Sequence, residues 1–238
     1  MKILAIDSSA VSASCCVWED GKLLAQSAVN TKLTHSQTLL PMVRDMLQNA
    51  CLTLQQMDLL AVAAGPGSFT GVRIGVAAVK GLALPEDKPC AGVSTLAAIA
   101  QNAGGLPFDG VVCAAMDARC QQVYTALFEC RGGALSRLTP DEALPLSQLQ
   151  NRLKETKKSV FLVGDGAELC YTQMKEAVFG LTLSPPHLRY QSACGVAAEA
   201  AGMAARGETV SGERLLPRYL RLPQAERELR ARQAAAAE

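Results

Sequence analysis

Two strand-ending aspartates, two glycine-rich turns and two histidines are the residues of this 238-residue sequence best placed to do chemistry. Asp7 closes the apolar run Ile3-Leu4-Ala5-Ile6, and Asp117 closes a second run, Val111 to Met116. An acid at the end of a buried strand faces whatever cleft lies beyond it. There it can orient a metal–nucleotide complex or activate water. The same carboxylate can equally cap the next turn, and in Asp117-Ala118-Arg119 it can pair with the arginine. The run Gly65-Pro66-Gly67-Ser68-Phe69-Thr70-Gly71-Val72-Arg73-Ile74-Gly75 follows a strand and opens a helix, which leaves backbone N–H groups at a positive helix end. Gly164-Asp165-Gly166 follows a strand in the same way, so Asp7, Gly65, Gly67, Gly164 and Asp165 form a candidate anion or nucleotide site. The first motif is not a Walker A loop, because no Lys-Ser or Lys-Thr follows its last glycine. Nor is it a dinucleotide fingerprint, because Thr70 stands where the third glycine would be. A tight turn with close helix packing is the competing reading.

Metal and hydrolase chemistry find less support. His35 and His187 are far apart and neither has a histidine four residues on, so no HxxxH or HExxH pair exists; His35 reads as a helix-start residue. No GxSxG elbow occurs. The nine cysteines contain no CxxC pair and no repeating spacing, which points to reduced, mostly buried thiols and to no metal site.

The elements that would position these residues repeat. Strands are expected at Ile3–Asp7, Ala13–Trp18 and Lys22–Gln26, with a hairpin turn at Asp20-Gly21. Leu39, Leu40, Val43, Met46, Leu47 and Ala50 fall at helical spacing, and Leu59–Ala64 reads as a buried strand before the glycine turn. The second half follows suit, with strands at Val111–Asp117, Val123–Phe128 and Ala134–Leu138, a helix through Leu146, Leu149 and Leu153, and a strand at Val160–Val163. Two successive α/β units, each opening on a strand that ends in Asp, predict an α/β chain of the duplicated actin/hexokinase/Hsp70-like (ASKHA) fold. Its two halves would carry mixed sheets. Residues 1–104 make the first half and 105–190 the second, divided at Asn102-Ala103-Gly104-Gly105-Leu106-Pro107. Residues 191–222, with an Ala-rich helix over Ser192–Arg206, are expected to pack back on both halves, and 223–238 to form a disordered tail.

Composition bounds the partners. At 49% hydrophobic but 4% aromatic, the core must be aliphatic. Lys and Arg total 23 against 22 Asp and Glu, a formal charge of +1, which argues against a protein that holds nucleic acid alone. The N-terminal apolar run is too short for a signal peptide and no stretch approaches the ~18 apolar residues of a membrane span, so a cytoplasmic protein with no membrane partner is expected. Small residues Gly71, Gly75 and Ala78 lie on one stripe of an otherwise apolar helix. That helix either meets a partner subunit or is covered by its own sheet and neighbouring helix.

Five stretches together resemble the TsaB (YeaZ) family: Ile3-Leu4-Ala5-Ile6-Asp7-Ser8-Ser9, His35-Ser36-Gln37 leading to Pro41, Gly65 to Gly75, Asp117-Ala118-Arg119 before Val123-Tyr124, and Pro217-Arg218-Tyr219-Leu220-Arg221. The resemblance implies a part in forming threonylcarbamoyladenosine at adenosine 37 of ANN-decoding tRNAs. It implies a non-catalytic scaffold that heterodimerises with a TsaD-like catalytic paralogue and self-associates through the same surface. ATP is then used through partner subunits, among them a TsaE-like ATPase, and tRNA is met only within the complex; this chain has no cofactor of its own. The partner surface would lie on helices carrying Leu39, Val43, Met46, Gly71, Val72, Gly75, Ala78 and Val79. In TsaD-like enzymes an HxxxH pair binds the metal, and the corresponding positions here are Thr95 and Ile99. The alternative is an independent ATP-binding kinase or hydrolase of the ASKHA superfamily, working through Asp7 and the two glycine turns.

Overall fold

The structure is a computed structural model that describes residues 1–31 and 33–221. Strands β1 (Lys2–Asp7), β2 (Ala13–Glu19), β3 (Lys22–Val29), β4 (Leu59–Gly65) and β5 (Cys90–Ser94) form one sheet in the order β3-β2-β1-β4-β5. The hairpin β2–β3 turns at Asp20 and Gly21, whose φ values of 46° and 88° are the left-handed pair a two-residue hairpin requires. The second sheet contains β6 (Gly110–Asp117), β7 (Gln122–Arg131), β8 (Ala134–Arg137), β9 (Glu142–Pro145), β10 (Val160–Val163) and β11 (Leu181–Leu183). Its order is β11-β10-β6-β7-β8, with β9 also paired to β7. In each half an antiparallel hairpin flanks the first strand on one side and two parallel strands flank it on the other. The duplication expected from sequence is therefore a duplication of sheet order.

Helices cover both faces. On the outer face of the first sheet, α1 (His35–Asn49) and α2 (Phe69–Ala83) bury Leu39, Val43, Val72, Val76 and Val79 against Leu4, Ile6 and Val62. On the outer face of the second, α4 (Leu146–Thr156) and α5 (Ala167–Met174) bury Leu149, Leu153 and Cys170 against Val111, Cys113 and Leu162. The inner faces are covered by exchange. Helix α3 (Thr95–Ala100), which follows the last strand of the first sheet, sets Leu96 and Ile99 among Val112, Met116 and Phe128 of the second sheet's cluster. Helix α6 (Ala193–Ala205), which follows the last strand of the second sheet, sets Val196, Ala197 and Ala200 among Ile3, Ala5 and Val93 of the first. The two helices pack on each other, so each half closes the other's core.

The chain then returns to the first half. Val210 and Cys90 exchange backbone hydrogen bonds of 2.8 and 2.9 Å, Leu215 enters the first core, and the Arg218 N–H donates to the Ala64 carbonyl at 2.7 Å. Sequence reasoning did not place β5, α3, β9 or β11. Each of the four spans only three to six residues, too few for periodicity to show. The expected break at 104/105 lies in the connection between α3 and β6, and the tail at 223–238 lies outside the described residues. All nine cysteines are free thiols. No helix among the described residues is long and apolar enough to cross a membrane.

The α3–α6 crossing depends on one missing methyl. A Cβ at Gly195 would overlap the Ala98 carbonyl oxygen, which is backbone and has no room to move, whereas a Cβ at Gly202 on the same helix meets only the Arg206 guanidinium at 3.3 Å. Gly195→Ala should therefore destabilise the fold by about 1–3 kcal/mol through overpacking. Gly202→Ala should be neutral or stabilising by up to about 1 kcal/mol from helix propensity. Paired urea melts of the two variants check this, and equal midpoints would contradict it.

Candidate functional site in the cleft between the halves

The ends of β1, β4, β6 and β10 converge on a cleft between the two sheets, with a cavity of about 390 Å³ at its mouth. Asp7 lies beneath the floor and is fully buried. Its Oδ1 accepts from the Ser9 N–H at 2.8 Å and the Ser9 hydroxyl at 2.7 Å, while Oδ2 has no partner among the described residues. Burial raises the Asp7 pKa from 3.8 to about 6; the charge of Asp165 adds to the rise and the two Ser9 bonds oppose it. Asp165, on the facing half, is also raised, chiefly by burial, and accepts from Gln191 Nε2 at 2.8 Å. The structure thus brings the two sequence-predicted acids to one floor from opposite halves. Asp117 does otherwise: it is exposed, and its Oδ1 accepts the Arg119 backbone N–H at 2.8 Å, a turn cap rather than an ion pair.

The glycine turns lie at the cleft, and several of their donors are used within the chain. The Ser68 N–H, at the start of α2, donates to the Ser9 carbonyl at 2.7 Å, and the Ser68 hydroxyl accepts from the Gly71 N–H at 3.3 Å. A Cβ at Gly65 would overlap the Arg218 carbonyl oxygen, and one at Gly67 the Ser9 carbonyl oxygen. In the other half, the Gly164 N–H donates to the Arg189 carbonyl at 2.7 Å and the Gly166 N–H to the Ala115 carbonyl at 3.0 Å. Both turns seat neighbouring backbone, so the packing reading of these glycines accounts for their geometry.

The residues expected to meet a partner face inward. Leu39, Val43, Met46, Gly71, Val72, Gly75 and Val79 are buried in the chain's own core, and Ala78 is half-buried. The outer faces of the same helices carry Leu40, Arg44, Arg73, Ala77 and Gly81, with Ile74 and Leu82 half-buried between them and Leu84 beyond at 81% exposure. The residue pattern gave the stripe; which side of it faced the sheet needed the fold. His35 begins α1, where Nε2 meets the Ala10 carbonyl at 2.6 Å and ties the helix to the cleft lip. Thr95 and Ile99 are both buried on α3, and an isoleucine side chain supplies no metal ligand. Among the described residues, no group of three or more His, Cys, Asp or Glu could hold a metal ion. Arg119 and Arg218–Arg221 also line the cleft, and nothing in their spacing signals it.

Two halves of one sheet order around a cleft with an acid from each define a protein of the actin, hexokinase and Hsp70 class. The family model for TsaD, tRNA N6-adenosine threonylcarbamoyltransferase, matches residues 23–229. The chain is 34% identical to the tRNA threonylcarbamoyladenosine biosynthesis protein TsaB of Bacillus subtilis, over 95% of this chain and 96% of that protein. It is 35% identical to the Escherichia coli protein of the same name, over 93% and 95%. A solved Pseudomonas aeruginosa structure described as similar to peptidase YEAZ superposes with a TM-score of 0.80 at 32% identity, covering 92% of this chain and 99% of that one. This chain belongs to the TsaB (YeaZ) family.

The buried acid predicts a pH dependence. Asp7 is raised from 3.8 to about 6, so its favourable contribution is complete below about pH 3.8, is lost as pH rises through about 6, and stays lost above. Asp7→Asn removes that dependence. Between pH 4 and pH 8 the stability of the variant relative to wild type should rise by about 2 kcal/mol, since the rise from 3.8 to about 6 is worth about 1.36 kcal/mol per pH unit and part of it is already lost at pH 4. Urea melts at the two pH values measure it; parallel curves would exclude a buried, titrating Asp7.

Proposed function

We propose that this chain is a non-catalytic subunit for threonylcarbamoyladenosine formation on tRNA, docking a TsaD-like catalytic paralogue through the outer faces of α1 and α2. The observation that carries the reading is near-full-length identity of about a third to proteins named for that biosynthesis. The division of labour draws support from Thr95 and Ile99, which stand where a TsaD-like enzyme would have metal-binding histidines. It draws further support from the glycine turns, where the Ser68, Gly71, Gly164 and Gly166 N–H groups already donate within the chain. With a formal charge of +1, the chain meets tRNA only alongside its partners, and ATP is handled by a separate TsaE-like ATPase. Such a subunit works in the cytoplasm.

The docking face offers small and apolar residues, Leu40, Ala77, Gly81 and Leu84, flanked by Arg44 and Arg73. A Cβ at Gly81 meets nothing within 4 Å, so a side chain can be added there without disturbing the fold. Co-expression with the TsaD-like paralogue should yield a complex that Ala77→Glu and Gly81→Glu each weaken by about tenfold or more, a loss of about 1.4 kcal/mol, with unfolding midpoints unchanged. Full complex formation by the double variant would move the interface elsewhere. Absence of tRNA threonylcarbamoylation without this chain, and its recovery on adding it back, tests the pathway assignment separately.

A further inference from the structure

Two of the nine free thiols meet at the start of α6, among residues that do not line the cleft. Ser14, Cys16 and Trp18 alternate along β2 and so share its inner face. Ser14 Oγ accepts the Ala193 N–H at 2.9 Å, which seats the first turn of α6 on that face. Cys194 therefore comes down beside Cys16. The two belong to one apolar cluster, and the Cys16 S–H faces the Cys194 sulfur. Their access differs. Cys16 is fully buried, whereas Cys194 is half-buried and lines a second cavity, of about 430 Å³. Trp18 forms one wall of that cavity, and Gly104, Gly105 and Gly133 leave the opposite wall bare of side chains. One thiol is open to a small solute, and the other lies directly behind it.

The pair shares its protons unequally. The Cys16 S–H, first, and then the Ser192 hydroxyl that caps α6 lower the Cys194 pKa from 9.0 to about 7, against the opposing effect of burial. Cys16 is pushed well above 9.0 by the same contact and by burial. Cys194 is also the second residue of α6, at the positive end of the helix. Gln101 and Asn102 are the polar side chains of the cavity wall, and among the described residues no Lys, Arg, His, Asp or Glu lines it. Glu199, further along α6, is held by Gln101 Nε2. Near neutral pH, Cys194 is thus largely the thiolate, which attacks, and Cys16 is the thiol held in reserve. Elsewhere burial pushes Cys15 and Cys113 up to about 12 and Cys90 to about 11, so those thiols keep their protons.

We propose that Cys194 is a site of oxidation by hydroperoxides, with Cys16 as the thiol that resolves the product into a disulfide joining α6 to β2. The Cys194 thiolate attacks one oxygen of hydrogen peroxide, the O–O bond breaks, and hydroxide leaves while a sulfenic acid forms on Cys194. Cys16 then attacks the Cys194 sulfur, the S–O bond breaks, and water leaves with the Cys16 proton. The two sulfurs are oxidised and one peroxide is reduced. A small dithiol reverses the bond by exchange. The disulfide lies one residue before Gly195, the point at which α6 crosses α3. This chemistry needs neither an occupant of the cleft nor a partner subunit.

Brief treatment of the reduced full chain with hydrogen peroxide, followed by alkylation, digestion and mass spectrometry, tests it. A peptide linked through Cys16 and Cys194 is expected, and dithiothreitol should release it. In Cys16→Ala the reaction should stop at the sulfenic acid, which dimedone traps at Cys194 at least about tenfold more than in wild type. In Cys194→Ser, Cys16 should stay a free thiol. Iodoacetamide gives a second measurement on the unaltered chain: alkylation of Cys194 should rise with a midpoint near pH 7, and Cys16→Ala should move that midpoint upward. Cys16 and Cys194 both recovered as free thiols while the exposed Cys51 and Cys120 are oxidised would overturn the assignment. So would dimedone labelling of Cys16→Ala at Cys51 or Cys120 but not at Cys194, or a wild-type alkylation midpoint at or above about pH 8.5, the ordinary thiol value. Urea melts confirm that the variants fold, and the wild-type peptide map and alkylation profile decide the matter if Cys16→Ala does not.

Discussion

The crossing of α3 and α6 is the contact on which the rest of the molecule depends. Each helix belongs by sequence to one half and by packing to the other, so neither sheet has a complete inner core without its counterpart. The crossing works because the facing surfaces are nearly bare backbone: Gly195 sits directly against the Ala98 carbonyl. Further ties reinforce it. Ser14 Oγ accepts the Ala193 N–H at 2.9 Å at the start of α6, and Asn102 Nδ2 donates to the Leu188 and Tyr190 carbonyls at 3.0 and 2.8 Å. The separation of the halves, and with it the width of the cleft, follows from how closely these two helices approach.

Close approach also explains what happens at the glycine turns. In a fold of this class such a turn can leave N–H groups free for phosphate. Here the Ser9 carbonyl fills one turn, and the Arg189 and Ala115 carbonyls fill the other. The first of these contacts holds Ser9 in place, and Ser9 in turn donates twice to Asp7. The buried acid is therefore part of a polar lattice joining β1 to the start of α2. One Asp7 oxygen has no partner among the described residues, and burying that carboxylate raises its pKa.

Much of this architecture was legible in the residues. Runs of four or more apolar residues closing on Asp or Gly, the Asp20-Gly21 turn and the Leu146/Leu149/Leu153 spacing gave β1, β4, β6, β10, the first hairpin and α4. The pieces that escaped are those whose stability comes from elsewhere in the chain. Cys90–Ser94 is a strand because it lies beside Leu60–Gly65, and Thr95–Ala100 is a six-residue helix buried on all sides, which leaves no periodic contrast to detect. The candidate site was half legible. Asp7 and Asp165 announce themselves by ending or following buried strands, but Arg119, Arg218 and Arg221 come together only because the segment from Arg218 to Arg221 crosses from the first half to the second. Likewise Val72 and Val79 look like Ala77 and Gly81 until the sheet decides which side of α2 is inside.

The return of the C-terminal segment also sets the order in which the molecule can be finished. The five strands of the first sheet are complete by Ser94, yet the helix that covers their inner face begins at Ala193 and the leucine that fills their outer core is Leu215. On a ribosome the first half emerges early and stays open on one side until nearly all of the described chain has been made. A message cut short before Ala193 therefore leaves the inner face of the first sheet bare, although α3, α4 and α5 already cover the second.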